Sequence, residues 1–199
     1  MGFKKTYVII PAFFTLIFIL SACGGSSARS DESGSTGAVY LKNNIHAHEK
    51  PGRAGAVVYW ASYANYIGRD AGHFIVPVNT RVVIGPWKRG FSMTDQAEGR
   101  VIYFEFNSRN MRMSADEYLQ LITSPTEVSL SGLSEIDLKG IQDGRAYKNM
   151  SKRGVRMALG YPAVHQTPSL KDLSWTYWKN SRTMIIVDFF GDGAVRRLR

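Results

Sequence analysis

TMIIVDFFGDGAVRRLR, residues 183–199, and NMSKRGVRMALGYP, residues 149–162, decide the fold. In the first, β-branched and aromatic residues run to Phe190. Gly191-Asp192-Gly193, which tolerate positive φ, then precede a second short run to Arg199, the pattern of a tight hairpin. In the second, Ser151 can cap a helix KRGVRMAL. Val155, Ala158 and Leu159 share one face of it, and Gly160 with Pro162 ends it. Upstream, Ser134 can cap a helix through about Asp143 that offers Leu138 and Ile141 and stops at Gly144, with Gly140 an unfavourable interior residue. SWTYWK at 174–179 supplies a further strand. Residues 133–199 therefore predict two helices on a three-stranded antiparallel sheet. Trp175 and Tyr177 share one face of their strand and Trp178 takes the other, so with helices on the first face Trp178 is left available to a partner.

Working towards the N-terminus, MSADEYLQLITSP holds a capping box, Ser114 with Glu117, and a helix from Ala115 to about Thr123 whose inner face is Tyr118, Leu119 and Ile122. Before it come short β-forming runs: AVYL (38–41), AVVYWASY (56–63), HFIVPV (73–78), TRVVIG (80–85) and RVIYFEF (100–106). Gly, Pro, Asn and Asp punctuate them, which predicts a small bent sheet or SH3-like barrel over residues 38–125, closed by one helix. VIYFEF, interrupted only by Glu105, predicts a central strand covered on much of both faces. The fold class expected is α+β.

Ahead of this, Lys4 and Lys5 precede a mostly apolar stretch from Tyr7 to Leu20, the length of an export-signal core and short of the roughly 20 residues of a membrane span. Leu20-Ser21-Ala22 leads into Cys23, the one cysteine. Residues 1–22 are expected to be removed and Cys23 lipidated, two or three acyl chains being needed for stable anchoring. A thiol consumed in this way leaves no disulfide, thiolate ligand or cysteine nucleophile. Loss of Lys4 and Lys5 takes the formal charge from +9 to +7. A basic chain held at a membrane is drawn to anionic surfaces, and export removes nucleic acid as a partner. Residues 23–37, from the lipidated cysteine through a Gly/Ser-rich tract, predict a flexible tether.

Met150-Ser151, Val155, Leu159-Gly160-Tyr161-Pro162, Trp175-Thr176-Tyr177 and Val187 to Gly193 together resemble the SmpA/OmlA (BamE-like) family of small outer-membrane lipoproteins over residues 133–199. Asn149 stands where that family often has glycine. The resemblance implies a lipid-anchored protein on the periplasmic face of the outer membrane that assists insertion of β-barrel proteins and envelope integrity, with other envelope proteins, the barrel-assembly machinery among them, as partners. Gly24 after the cysteine, where a retention signal would carry aspartate, points the same way.

Catalytic patterns are sparse. No Gly-x-Ser-x-Gly elbow marks a nucleophile, and Asp116-Glu117 suit a helix start, so a non-catalytic binding protein without cofactor or metal is expected. His46, His48 and Glu49 fit either a metal-site fragment, with His73 or His165 as further ligand, or a polar loop before Pro51-Gly52; the loop is the simpler reading. Tyr59, Trp60, Tyr63 and Tyr66 fit core filling, the simpler reading, or a platform for glycan or peptide; binding of peptidoglycan or another envelope polymer is the alternative role for the N-terminal module. Trp178, Arg196 and Arg197 are the expected partner-binding residues, with Lys88-Arg89 and Lys152-Arg153 adding positive charge.

Overall fold

The computed structural model describes residue 2 and residues 37–199. The rest of the export signal, Cys23 and the tether through residue 36 lie outside the described residues. The fold is α+β. The first sheet draws on β1 (Val39–Leu41), β2 (Ile45–Pro51), β3 (Val57–Ser62), β4 (His73–Val76), β5 (Arg81–Trp87), β6 (Gly90–Asp95), β7 (Val101–Glu105) and β8 (Thr123–Ser124). It is a curled eight-stranded sheet in the order β4-β2-β3-β7-β6-β5-β1-β8. Every pairing is antiparallel except β3 with β7, which is parallel. The helices α1 (Ser108–Met111) and α2 (Ala115–Ile122) lead out of it. Next come α3 (Glu135–Asp143), α4 (Lys152–Leu159) and a separate sheet β9 (Ser174–Trp178), β10 (Met184–Phe189), β11 (Val195–Leu198), all antiparallel, with β10 in the middle.

Local chemistry accounts for the helices. Ser114 and Ser134 each form a capping box, with Glu117 and Asp137, and Ser151 accepts from the Gly154 N–H. Each such cap contributes about 1 kcal/mol. Gly144 ends α3 in the left-handed region. Asn149 also has positive φ, at 68°, a conformation that asparagine tolerates better than other side chains.

Two cores form. Leu41, Ile45, Ala47, Val82, Met93, Ile102, Phe104, Tyr118 and Ile122 lie in the first, between the large sheet and α2. Trp175, Tyr177, Val187, Phe189, Val155 and Leu159 lie in the second, between the small sheet and its helices. Each of the larger aliphatic and aromatic side chains contributes about 1.5–3 kcal/mol by leaving water. The described residues from 37 to 199 nevertheless make one compact unit, because segments cross between the cores. Ala163 is buried in the first, while Ile67, Val78 and Val128 pack against the second.

Polar groups tie the same seam. Buried Asn44 donates through Nδ2 to the carbonyls of Ile141 (2.6 Å) and Ala158 (3.3 Å) and accepts from the Val78 N–H. Asn65 donates to the Tyr161 carbonyl, and the N–H groups of Ile67 and Gly68 donate to Trp178 and Lys179.

Four expectations are corrected. Residues 45–51 are a strand paired on both sides, not a polar loop: β2 alternates Ile45 and Ala47 into the core with His46 and His48 behind, a period hidden because its second face is histidine. The first module has two helices, α1 being a single turn capped by Asn107. VIYFEF is central, but only Ile102 and Phe104 are buried, and its other face is half open. Within α3, Leu138 is exposed, and burial falls on Asp137, Gly140 and Ile141 instead. Gly140 is explained by Met150, whose thioether occupies the space a Cβ there would need. Among the described residues no helix is long and apolar enough to cross a membrane.

Candidate ligand-binding face

Because strand side chains alternate, the large sheet has a second face, opposite the first core. Register carries one row across it: His73 beside His48, His48 beside Trp60, Trp60 beside Tyr103, Tyr103 beside Ser92, and Ser92 beside Gly85. Trp87, two residues beyond Gly85 on the same face, brings its ring to 5.4 Å from that of Tyr103. Near one edge this face is covered. His46 and Ile75 meet α4 and the end of α3, through the Ala158 carbonyl and the close approach of Gly144. Beyond that cover Trp60, Tyr103 and Trp87 are half-buried.

A cleft of about 470 Å³ opens where the cover ends. Trp60 and Tyr66 stack in it at 5.5 Å and 25°, and the turn Lys179-Asn180-Ser181 from the small sheet forms the facing wall. Lys50 sets its Nζ 3.2 Å from the centre of the Trp60 ring. Desolvation there lowers the Lys50 pKa, with Glu105 opposing. Asp70 and His48 complete the rim. Trp60 Nε1 is buried and has no hydrogen-bond partner. An unmet donor of this kind costs about 1–3 kcal/mol, so it has an incentive to meet an acceptor oxygen. Arg89 extends the charged border, 5.2 Å from the Trp87 ring and ion-paired to Glu105 at 3.6 Å. Rings flanked by hydroxyls and charges suit a flat ligand with an apolar face and polar edges.

The histidines beside the cleft are structural. The Ala158 carbonyl can only accept, so His46 Nε2 carries the proton and His46 Nδ1 accepts from His73 Nε2 at 3.0 Å; His48 donates to the Tyr66 carbonyl at 2.9 Å. Burial lowers the His46 pKa to about 3 and the His73 pKa to about 4. His165 lies elsewhere, against Tyr63. Among the described residues no three His, Cys, Asp or Glu side chains are placed to hold a metal.

The aromatic quartet divides, Tyr59 and Trp60 by strand parity and Tyr63 and Tyr66 by the turn that follows β3. Tyr59 and Tyr63 pack on the first core, Tyr59 edge-on to Phe74 at 5.6 Å, whereas Trp60 and Tyr66 form the cleft. Tyr103, Trp87, Lys50 and Lys179 were not singled out in the sequence. The alternation Val101-Tyr103-Glu105 against Ile102-Phe104 was a signal for the first of them.

The expected partner residues sit apart from the cleft. Trp178 is half-buried on the outer face of the small sheet, paired with Met184. Arg196 is exposed, 5.9 Å from the Phe190 ring. Arg197 Nε is held by Asp188 at 2.8 Å, next to Arg199 at 2.9 Å, and these pairs push the Asp188 carboxyl far below its usual range. Lys152 spends its ammonium on the carbonyls of residues 170–172. Comparison with protein-family models, with curated proteins and with solved structures finds no match to this chain.

Proposed function

We propose that this chain is a non-catalytic binding protein of the bacterial cell envelope, lipidated at Cys23, held at the periplasmic face of the outer membrane, and taking an envelope glycan polymer such as peptidoglycan on the open face of the large sheet. The observation that carries the ligand class is the row Trp60-Tyr103 with Trp87 at 5.4 Å. Aromatic rings stack on the apolar faces of sugars, while Ser92, Asn180 and Ser181 offer partners for hydroxyls and acetamido oxygens. In the same reading the curled sheet is an SH3-like module enlarged to eight strands, and residues 133–199 keep the SmpA/OmlA-like layout, supported by two capped helices ahead of three antiparallel strands.

The test is co-sedimentation of the full-length protein, in mild detergent, with purified sacculi. Saturable binding that soluble muropeptides displace is expected. Binding unchanged in Trp60→Ala sinks the glycan reading. Cys23→Ser tests the anchor separately, and should release the chain from the membrane fraction.

A second reading, a protein-binding accessory to outer-membrane assembly, is favoured by the small sheet, where Met184 is 44 % exposed beside Trp178 and Phe190, at the other end of β10, is 43 % exposed beside Arg196. Exposed apolar side chains next to a tryptophan or an arginine suit a protein partner. In-cell crosslinking from Met184 that captures barrel-assembly subunits supports this reading, and crosslinks confined to sacculus-associated material count against it.

A further inference from the structure

On another part of the molecule, a cavity of about 180 Å³ is lined by Lys42, Asn43, Val128, Arg153, Arg156, Met157 and Tyr161. A water takes about 30 Å³ of liquid volume, so the space holds a group several atoms across. Three of the lining side chains are cations and none is a carboxylate. Each cation is held in place without being neutralised. Lys42 Nζ donates to the Gln120 carbonyl at 2.7 Å, and Arg153 donates through its two terminal nitrogens to the carbonyls of Ser131 (3.0 Å) and Ser129 (2.6 Å). Arg156 lies 5.4 Å from the Tyr161 ring. Among the described residues none of the three makes a salt bridge.

Arg153 and Arg156 are three residues apart on α4, so both present to one side of the helix. Three cationic side chains lining one small cavity, with no carboxylate among them, favour an anion there. Asn43 adds a second, independent requirement. It is 1 % exposed, its Nδ2 is used on the Asn44 carbonyl at 2.7 Å, and its Oδ1 is buried with no partner. A free acceptor beside three cations disfavours an anion with acceptors only and favours one that also carries a hydroxyl.

We propose that Lys42, Arg153, Arg156 and Asn43 form a binding site for a phosphate group that bears a P–OH, either inorganic phosphate or a phosphate monoester on a lipid. The arginines and Lys42 take the charged oxygens, and Asn43 Oδ1 accepts from the hydroxyl. Sulfate has the same shape and no proton at neutral pH, and a phosphodiester has no P–OH. Both are excluded by the same acceptor. The site stands independently of the aromatic cleft.

The experiment is calorimetric titration of the full-length protein in neutral detergent with inorganic phosphate, then with sulfate, alongside flotation with neutral vesicles doped with either a phosphate-monoester lipid or a phosphodiester lipid. Saturable phosphate binding without sulfate binding is expected. Binding to monoester vesicles as well identifies the lipid source, and its absence the free ion. Arg156→Gln and Lys42→Gln, checked for an unchanged urea midpoint, should each weaken the interaction about ten- to a hundredfold, the loss of one charge-assisted hydrogen bond. Lys88→Gln should have no effect. Equal affinity for sulfate, equal flotation with the phosphodiester lipid, an equal loss in Lys88→Gln, or no saturable binding overturns the proposal.

Discussion

The open face of the large sheet carries Trp60, Tyr103 and Trp87, half-buried, with the Trp60 Nε1 donor unmet. On the outer face of the small sheet the principal polar group, Asp188, is fully engaged: Ser174, Arg197 and Arg199 all donate to it, and Trp178 pairs with Met184. Both faces arise from the same two-residue alternation, with the core on the other side. What differs is the character of the exposed face: the small sheet's is organised around a carboxylate engaged by Ser174, Arg197 and Arg199, whereas the large sheet's is lined by half-buried rings. A buried, unmet indole N–H occurs in both sheets, on Trp60 and on Trp175, so it does not distinguish them.

Several substitutions can break or sharpen that contrast. The largest effect is expected beneath the small sheet's helices. Gly154→Ala would place a methyl group on Asp137 Oδ1, and this buried carboxylate accepts from Ser134, from the Ser151 N–H at 2.7 Å and from the Ser151 hydroxyl. A loss of about 4 kcal/mol, or failure to fold, should appear in urea denaturation. Asn44→Ala should cost about 1–3 kcal/mol, because it leaves the Val78 N–H without its acceptor and takes one of two donors from the carbonyls of Ile141 and Ala158, which keep the Gly144 N–H and His46 Nε2. Tryptophan fluorescence and far-UV circular dichroism should still report one transition. Two separated transitions would show that the sheets are independent.

Acid tests the covered part of the large sheet's second face. The folded-state pKa values of His46 and His73, about 3 and 4, lie below the 6.5 of an unfolded chain. The unfolded state therefore binds more protons, and stability, complete above about pH 7, falls as pH drops through 6.5 towards 4. His46 alone should remove about 2 kcal/mol between pH 7 and 5. A urea midpoint that does not move over that range would show that neither imidazole is held neutral.

Trp60→Ala should weaken sacculus binding about tenfold, or roughly 1.4 kcal/mol, while Trp178→Ala leaves it unchanged. The reverse ranking in the same co-sedimentation assay would transfer the binding role to the small sheet. Smallest is Arg197→Ala, since the guanidinium is exposed and Arg199 and Ser174 still hold Asp188. Less than about 1 kcal/mol in thermal denaturation is expected.

The C-terminal half was legible because its signals are local. Ser134 and Ser151 cap, Gly144 and Gly160 stop, and the parity of Trp175, Tyr177 and Trp178 is inherent in any strand. The first sheet was legible only in outline. β2 was hidden by its histidines and β6, GFSMTD, by its lack of β-branched runs, because both owe their strand state to neighbours on each side. The cleft was half visible. Trp60 and Tyr66 were identifiable, but Lys179 reaches them only through a turn more than a hundred residues away along the chain, and no pattern in the sequence records that proximity. Gly140 shows the converse, a residue that weakens a helix locally yet is required by the methionine lying over it.

The bonds from Asn44 and His46 span 97, 114 and 112 residues to reach Ile141 and Ala158. A chain that emerges from its N-terminus can pair β2 with β3 early, but the second face of β2 stays uncovered until α4 has been made. Closing a loop of that length is entropically slow, and folds dominated by such distant contacts cross their barrier late and slowly. The seam that Asn44 and His46 hold therefore closes only once residues 141 and 158 are in the chain, so the second face of β2 depends for its cover on the C-terminal module.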